Sequence, residues 1–111
     1  MRPQLITVLL TPLAICASFA QAQIDQSFVD RVGCVQCHGT ENRTNGPSFE
    51  QIARRYQIND LDRTQLQDII LNGGKGNWTE ITGGLTMPPY SNLLSRAEID
   101  ALVDWILTQG Q

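Results

Sequence analysis

The chain has 111 residues, 41% of them hydrophobic, and its 8 Lys and Arg stand against 11 Asp and Glu for a formal net charge of −3 at pH 7. That length allows one small domain and no second one once a leader is removed, and the acidic balance argues against a nucleic-acid partner. Three cysteines and a single histidine confine the metal and thiol chemistry to very few positions.

Residues 1–22 are predicted to be an export signal. Arg2 is the charged start, residues 5–15 are an apolar run, and Ala20-Gln21-Ala22 supplies the small residues a signal peptidase reads. Cleavage before Gln23 leaves a domain of residues 23–111, whose basic residues are Lys75 and six arginines. The apolar run is too short for a membrane span, so no stable membrane anchor is expected. Cys16 lies within it, and Leu13-Ala14-Ile15-Cys16 faintly suggests a lipoprotein cleavage site. Ile15 is bulky for the position before such a cysteine, and Cys16 is read as discarded with the leader.

The first predicted helix covers residues 25–32, with Phe28, Val29 and Val32 at helical spacing and Gly33 as its stop. Cys34-Val35-Gln36-Cys37-His38 follows at once. C-x-x-C-H is the attachment signature of a covalently bound c-type haem. Two thiols at that spacing can each add to a haem vinyl group, and the next residue places an imidazole on one axial side of the iron. A Cys34–Cys37 disulfide in an oxidising compartment is the plainer reading, but it leaves the adjacent His38 unexplained. A thioredoxin-like pair needs a β-α-β context, which the helix-forming residues here do not offer. A zinc site needs four ligands, and two cysteines with one histidine fall short unless a carboxylate joins them.

A second helix can begin at Pro47, a favoured first-turn residue, and run to about Tyr56 with Phe49, Ile52, Ala53 and Tyr56 on one face. A third is predicted over residues 62–71, grouping Leu66, Ile69 and Ile70, with Asn72-Gly73-Gly74 as a strong stop. Residues 73–94 read as one long segment without regular structure, and long ordered loops are often functional. The last helix opens on the capping box Ser95-Arg96-Ala97-Glu98, carries Ile99, Leu102, Val103 and Ile106 as an apolar stripe, and ends near Gly110. The expected fold class is all-α, with four helices, no internal repeat and no low-complexity segment. So small a domain buries little core, and a large apolar cofactor would help to stabilise it.

Within the long segment stand Trp78 and Met87, the latter the only methionine besides Met1. It lies in Leu85-Thr86-Met87-Pro88-Pro89-Tyr90, where two prolines restrict the backbone just beyond it. A haem iron with one histidine needs a second axial ligand to become six-coordinate, and the soft thioether of Met87 is the natural candidate. Taken alone, a methionine more often fills an apolar gap. Lys75 is the weaker substitute ligand, and a vacant sixth site is the other alternative. The plainer reading of Trp78 is a core or surface aromatic.

These pieces resemble the class I c-type cytochromes, within them the short bacterial monohaem group of the cytochrome c-551 type. Residues 28–33 look like that family's N-terminal helix, Gly46-Pro47 like its turn to the proximal side, Asn72-Gly73-Gly74-Lys75-Gly76-Asn77-Trp78 and Met87-Pro88-Pro89-Tyr90 like its distal half, and residues 101–107 like its C-terminal helix. The resemblance implies a small cytochrome c fold, about four helices wrapped around one covalently attached haem c with its iron. It implies that Cys34 and Cys37 form the thioethers, that His38 is the proximal ligand and Met87 the distal one. Pro47, or a neighbour, would accept the second imidazole N–H through its carbonyl, and Trp78 would donate its indole N–H to a haem propionate. Trp105 would pack against the N-terminal helix near Gly33.

The activity implied is that of a periplasmic electron carrier, not an enzyme, taking single electrons from a membrane cytochrome bc complex or a dehydrogenase to a terminal oxidase, nitrite reductase or peroxidase. A monomer is the expected state. The alternatives are a haem protein with an open sixth site for gas or peroxide, and a dedicated electron-donor subunit of an enzyme complex. Two departures from the family stand out. The lysine ring of mitochondrial cytochromes c is missing, Lys75 being the only lysine, and no cation occupies the position of Ile69, where relatives often balance an inner propionate.

Overall fold

The computed structural model describes residues 1–4, 8–17, 23–42, 44–58 and 63–111. Helix α1 (Gln26–Arg31) begins where the Asp25 carboxylate accepts the Phe28 N–H at 2.8 Å, and it buries Phe28 and Val29. Gly33 then takes φ 86°, a left-handed conformation open to glycine, which turns the chain from α1 into a 3₁₀ turn over Cys34–Gln36.

Helix α2 (Phe49–Ile58) starts two residues later than the expected Pro47. The reason is a cap: Ser48 Oγ accepts the Gln51 N–H at 3.1 Å, while Gln51 Oε1 accepts the Ser48 N–H at 2.9 Å. That reciprocal pair satisfies two end donors of the helix and leaves Pro47 outside it. Phe49, Ile52, Ala53 and Tyr56 are buried on one face, the stripe expected from their spacing.

Helix α3 (Arg63–Asn72) buries Leu66 and Ile70; Asp62, the expected start, lies outside the described residues. Its end is set by Gly73 at φ 70°, whose N–H reaches the Ile69 carbonyl at 2.8 Å.

Residues 73–94 are more ordered than expected. Gly74 and Met87 exchange backbone hydrogen bonds at 2.9 and 2.8 Å in an isolated antiparallel bridge, and a one-turn helix α4 (Thr79–Thr82) sits between them. The amides of Tyr90 and Ser91 donate to the Ile70 and Leu71 carbonyls, lacing the far side of the loop to the end of α3.

Helix α5 (Arg96–Thr108) begins with the expected capping box, Ser95 and Glu98 exchanging bonds at 3.1 and 2.7 Å. Its stripe of Ile99, Leu102, Val103 and Ile106 is buried against α2 and α3. Trp105 meets Phe49 of α2 edge-on, ring centroids 5.2 Å apart, which corrects the expectation that it would lie by Gly33. A Cβ built on Gly33 would meet only the Gln36 side chain within 4 Å. An aromatic partner on the neighbouring helix captures the indole instead.

The fold is all-α, with no strand among the described residues beyond the isolated bridge. Residues 1–4 and 8–17 carry no helix or strand, and Leu9, Leu10 and Leu13 are 86%, 89% and 90% exposed. No helix among the described residues is long and apolar enough to cross a membrane.

Candidate functional site

The 3₁₀ turn gathers the thiol and imidazole groups on one bend of backbone. The His38 amide donates to the Cys34 carbonyl at 2.9 Å, and the Cys37 carbonyl accepts from the Gly46 amide at 2.8 Å and the Thr44 hydroxyl at 2.6 Å. Cys34 and Cys37 are not joined in a disulfide; Cys34 is buried and Cys37 half-buried. Burial pushes the Cys34 thiol above its ordinary pKa, with its own backbone and the Tyr90 hydroxyl pulling the other way.

His38 Nδ1 lies 2.6 Å from the Pro47 carbonyl oxygen. A carbonyl can only accept, so Nδ1 carries the proton and the lone pair of the neutral ring is on Nε2. Burial lowers the His38 pKa and the bond to Pro47 partly opposes it. The ring stacks on Phe49 at 5.5 Å between centroids. Gly46 makes room for it: a Cβ there would stand 2.9 Å from His38 Cε1 and 3.2 Å from Nδ1.

His38 opens onto a cavity of about 490 Å³. Cys37 and Pro47 share its wall with His38, Ile52 and Tyr56 come from α2, Leu66 and Ile69 from α3, and Trp78, Leu85 and Met87 from the loop. A smaller apolar pocket of about 40 Å³ shares His38, Ile52, Leu66, Ile69 and Met87 with it and reaches Cys34, Phe49 and Tyr90. All six residues singled out from the sequence are therefore brought together: Cys37, His38, Pro47, Trp78 and Met87 line the larger cavity, and Cys34 lines the adjoining pocket.

The Met87 wall is held by backbone contacts. Besides the bridge to Gly74, the chain passes so close to Gly73 that a Cβ there would lie 2.5 Å from the Met87 carbonyl oxygen and 2.8 Å from Pro89 N. Trp78 forms another wall, and the Arg55 guanidinium covers its ring at 3.6 Å from the centroid. Arg55 also donates to the Asn77 carbonyl and pairs with Glu80 at 2.5 Å. Arg55 is the site residue that sequence reasoning misses; its partners lie 22 and 25 positions away, and no local pattern marks it. Among the described residues, the charged side chains lining the cavity itself are Asp68 and Lys75, both exposed, with His38 within.

The volume lies within the range of about 300–1,000 Å³ common to cofactor pockets. Two cysteines beside an imidazole of fixed tautomer, a mostly aliphatic and aromatic wall, and a thioether lining the same space form a donor set that fits a covalently held haem. Among the described residues no group of three or more His, Cys, Asp or Glu side chains is arranged to hold a bare metal ion.

Comparison with known proteins points to the same class of protein. The sequence profile described as cytochrome c oxidase, cbb3-type, subunit III matches residues 26–106. The chain is 38% identical over 87 residues to cytochrome c-552 of Nitrosomonas europaea, covering 78% of this chain and 80% of that protein. It is 29% identical over 109 residues to cytochrome c-551 of Pseudomonas aeruginosa, covering 98% and 99% of the two. The crystal structure of the Nitrosomonas europaea cytochrome c552 superposes with a TM-score of 0.65 at 36% identity, over 77% of this chain and 99% of that one. The class 1 cytochrome MtoD of Sideroxydans lithotrophicus, at 23% identity and a TM-score of 0.60, shares the fold. The chain belongs to the cytochrome c family. It is a small c-type cytochrome, an electron-transfer protein whose haem c is attached covalently, with Cys34 and Cys37 in the C-x-x-C-H position.

Proposed function

We propose that this cytochrome is a periplasmic one-electron shuttle in which His38 and Met87 are the axial ligands of the haem iron. The observation that carries the reading is the placement of His38, Met87 and Cys37 around one cavity, with Cys34 in the pocket that adjoins it. The haem, when bound, supplies an iron centre that alternates between Fe(II) and Fe(III). His38 offers Nε2 because Pro47 holds the proton on Nδ1, and that bond also raises the basicity of the ligating nitrogen. Met87 offers a neutral, soft sulfur, which favours Fe(II) and raises the reduction potential. Two protein ligands retained in both oxidation states keep rearrangement small. Ile52, Leu66 and Ile69 exclude water from the same space, and Trp78 closes a wall from which its indole N–H can serve a haem propionate.

Residues 1–22 act as the export signal and are removed in this reading, which accounts for the exposure of Val8, Leu9, Leu10, Leu13 and Ile15. The domain of residues 23–111 then works as a monomer. Its partners are redox proteins met in brief encounters that bury little area: a cytochrome bc complex or dehydrogenase as donor, and a terminal oxidase, nitrite reductase or peroxidase as acceptor.

The test is the intact mass of the protein recovered from the periplasm of a host with haem-attachment machinery. A chain starting at Gln23 with one haem added and no free thiol is expected, together with reduction by donor membranes and reoxidation by acceptor membranes. Recovery of the full-length chain in the cytoplasm, or of a periplasmic chain with free thiols, would overturn the reading.

A further inference from the structure

The wall formed by Trp78 is electrically unusual. The Arg55 guanidinium lies over its ring at 3.6 Å from the centroid, donates to the Asn77 carbonyl and pairs with the Glu80 carboxylate at 2.5 Å. Arg55 is on α2 and its three partners are on or just before α4, so the cluster ties α4 to α2 beside the cavity. The Arg55 side chain is 27% exposed and that of Glu80 54% exposed, so water and salt reach the carboxylate more than the guanidinium.

We infer that Glu80 is a positioning residue for electron transfer, its carboxylate cancelling the charge of Arg55 behind Trp78 and thereby lowering the reduction potential of the haem centre. The inference rests on the proposed placement of the haem in the Trp78-lined cavity. The ring and the Asn77 carbonyl hold Arg55 without Glu80. Neutralising Glu80 therefore leaves the cation beside Trp78 and removes one negative charge from this corner. Losing a negative charge next to the centre disfavours Fe(III) relative to Fe(II), because the oxidised centre carries one more positive charge. The neighbouring pair Glu50 and Arg54, joined at 2.5 Å, contributes no net charge to this corner, and Lys75 is unchanged by the substitution.

The test is direct electrochemistry of the haem-loaded protein, the electrode supplying the electron that takes Fe(III) to Fe(II), for wild type, Glu80→Gln and Glu80→Asp. Glu80→Gln is expected to raise the midpoint potential at low ionic strength, with the gap narrowing as salt screens the exposed charges. Glu80→Asp keeps the charge and should stay near wild type, and the thermal midpoints should differ little. A Glu80→Gln potential at or below wild type would overturn the inference, as would a Glu80→Asp shift equal to that of Glu80→Gln. A wild-type protein without covalent haem would instead overturn the reading of the site. A loaded wild type whose potential ignores Glu80→Gln removes only the role given to Glu80.

Discussion

Replacing Gly73 and Gly83 by alanine, one at a time, separates the cost of a backbone conformation from the cost of crowding the Met87 loop. Both glycines have a left-handed φ, +70° at Gly73 and +68° at Gly83. An L side chain in that region costs about 1–2 kcal/mol, and the lower entropy of the unfolded alanine chain offsets about 0.4–1 kcal/mol. At Gly83 a Cβ meets nothing within 4 Å, so Gly83→Ala should lose only that difference, about 1 kcal/mol. At Gly73 the Cβ falls 2.5 Å from the Met87 carbonyl oxygen, 2.8 Å from Pro89 N and 3.0 Å from the Pro88 carbonyl carbon. All three are backbone atoms and cannot swing aside, so about 1–3 kcal/mol of overpacking is added, for a total of about 2–4 kcal/mol. With a urea dependence of about 1 kcal/mol per M for so small a domain, the unfolding midpoint should fall by about 2–4 M in Gly73→Ala and about 1 M in Gly83→Ala. The far-red sulfur-to-iron band of the oxidised protein should weaken only in Gly73→Ala, because only that change pushes on the chain carrying the thioether. Equal midpoint losses with the band intact in both would refute the claim that Gly73 positions Met87.

Ser95→Ala removes one half of the α5 capping box and should cost about 1 kcal/mol, read as a fall of about 4–8 °C in the thermal midpoint. Arg63 joins α3 to Asp100 and Asp104 of α5 at 3.0 and 2.7 Å, but all three side chains are largely exposed; Arg63→Ala should cost about 0–1 kcal/mol and nothing measurable in high salt. Burial raises the Tyr56 pKa above its ordinary 10.0, with the nearby Arg55 charge partly opposing. A raised folded-state pKa means that the unfolded chain ionises first: this contribution is whole below pH 10.0 and is lost as pH rises through the folded value. Tyr56→Phe should flatten the alkaline fall of the thermal midpoint, and an unchanged slope would contradict the assignment.

The parts of this molecule legible in the sequence are those whose signals are local. The α5 capping box lies within four consecutive residues, and its apolar stripe repeats at helical spacing, so both ends and the buried face are readable. Cys34, Cys37 and His38 occupy one turn, and Met87 stands out because the domain has no other methionine. At α2 two signals compete: Pro47 fits a first helical position, but Ser48 and Gln51 form a capping box, and a reciprocal pair of hydrogen bonds outweighs a favourable φ. The order in residues 73–94 is illegible because it comes from bonds between residues distant in the chain, Gly74 to Met87 and Tyr90 to Ile70. The same holds for Arg55, whose place on Trp78 joins α2 to α4, and for Trp105, which the Phe49 ring draws to α2.

The most direct test of His38 and Met87 as the axial pair is the optical spectrum of the haem-loaded protein, oxidised and reduced, with and without carbon monoxide. The expected result is a far-red sulfur-to-iron band that vanishes in Met87→Ala, and a reduced wild-type haem inert to carbon monoxide. Ready binding of carbon monoxide by the wild type, with no far-red band, would contradict ligation by Met87 and turn the protein into one with an open iron.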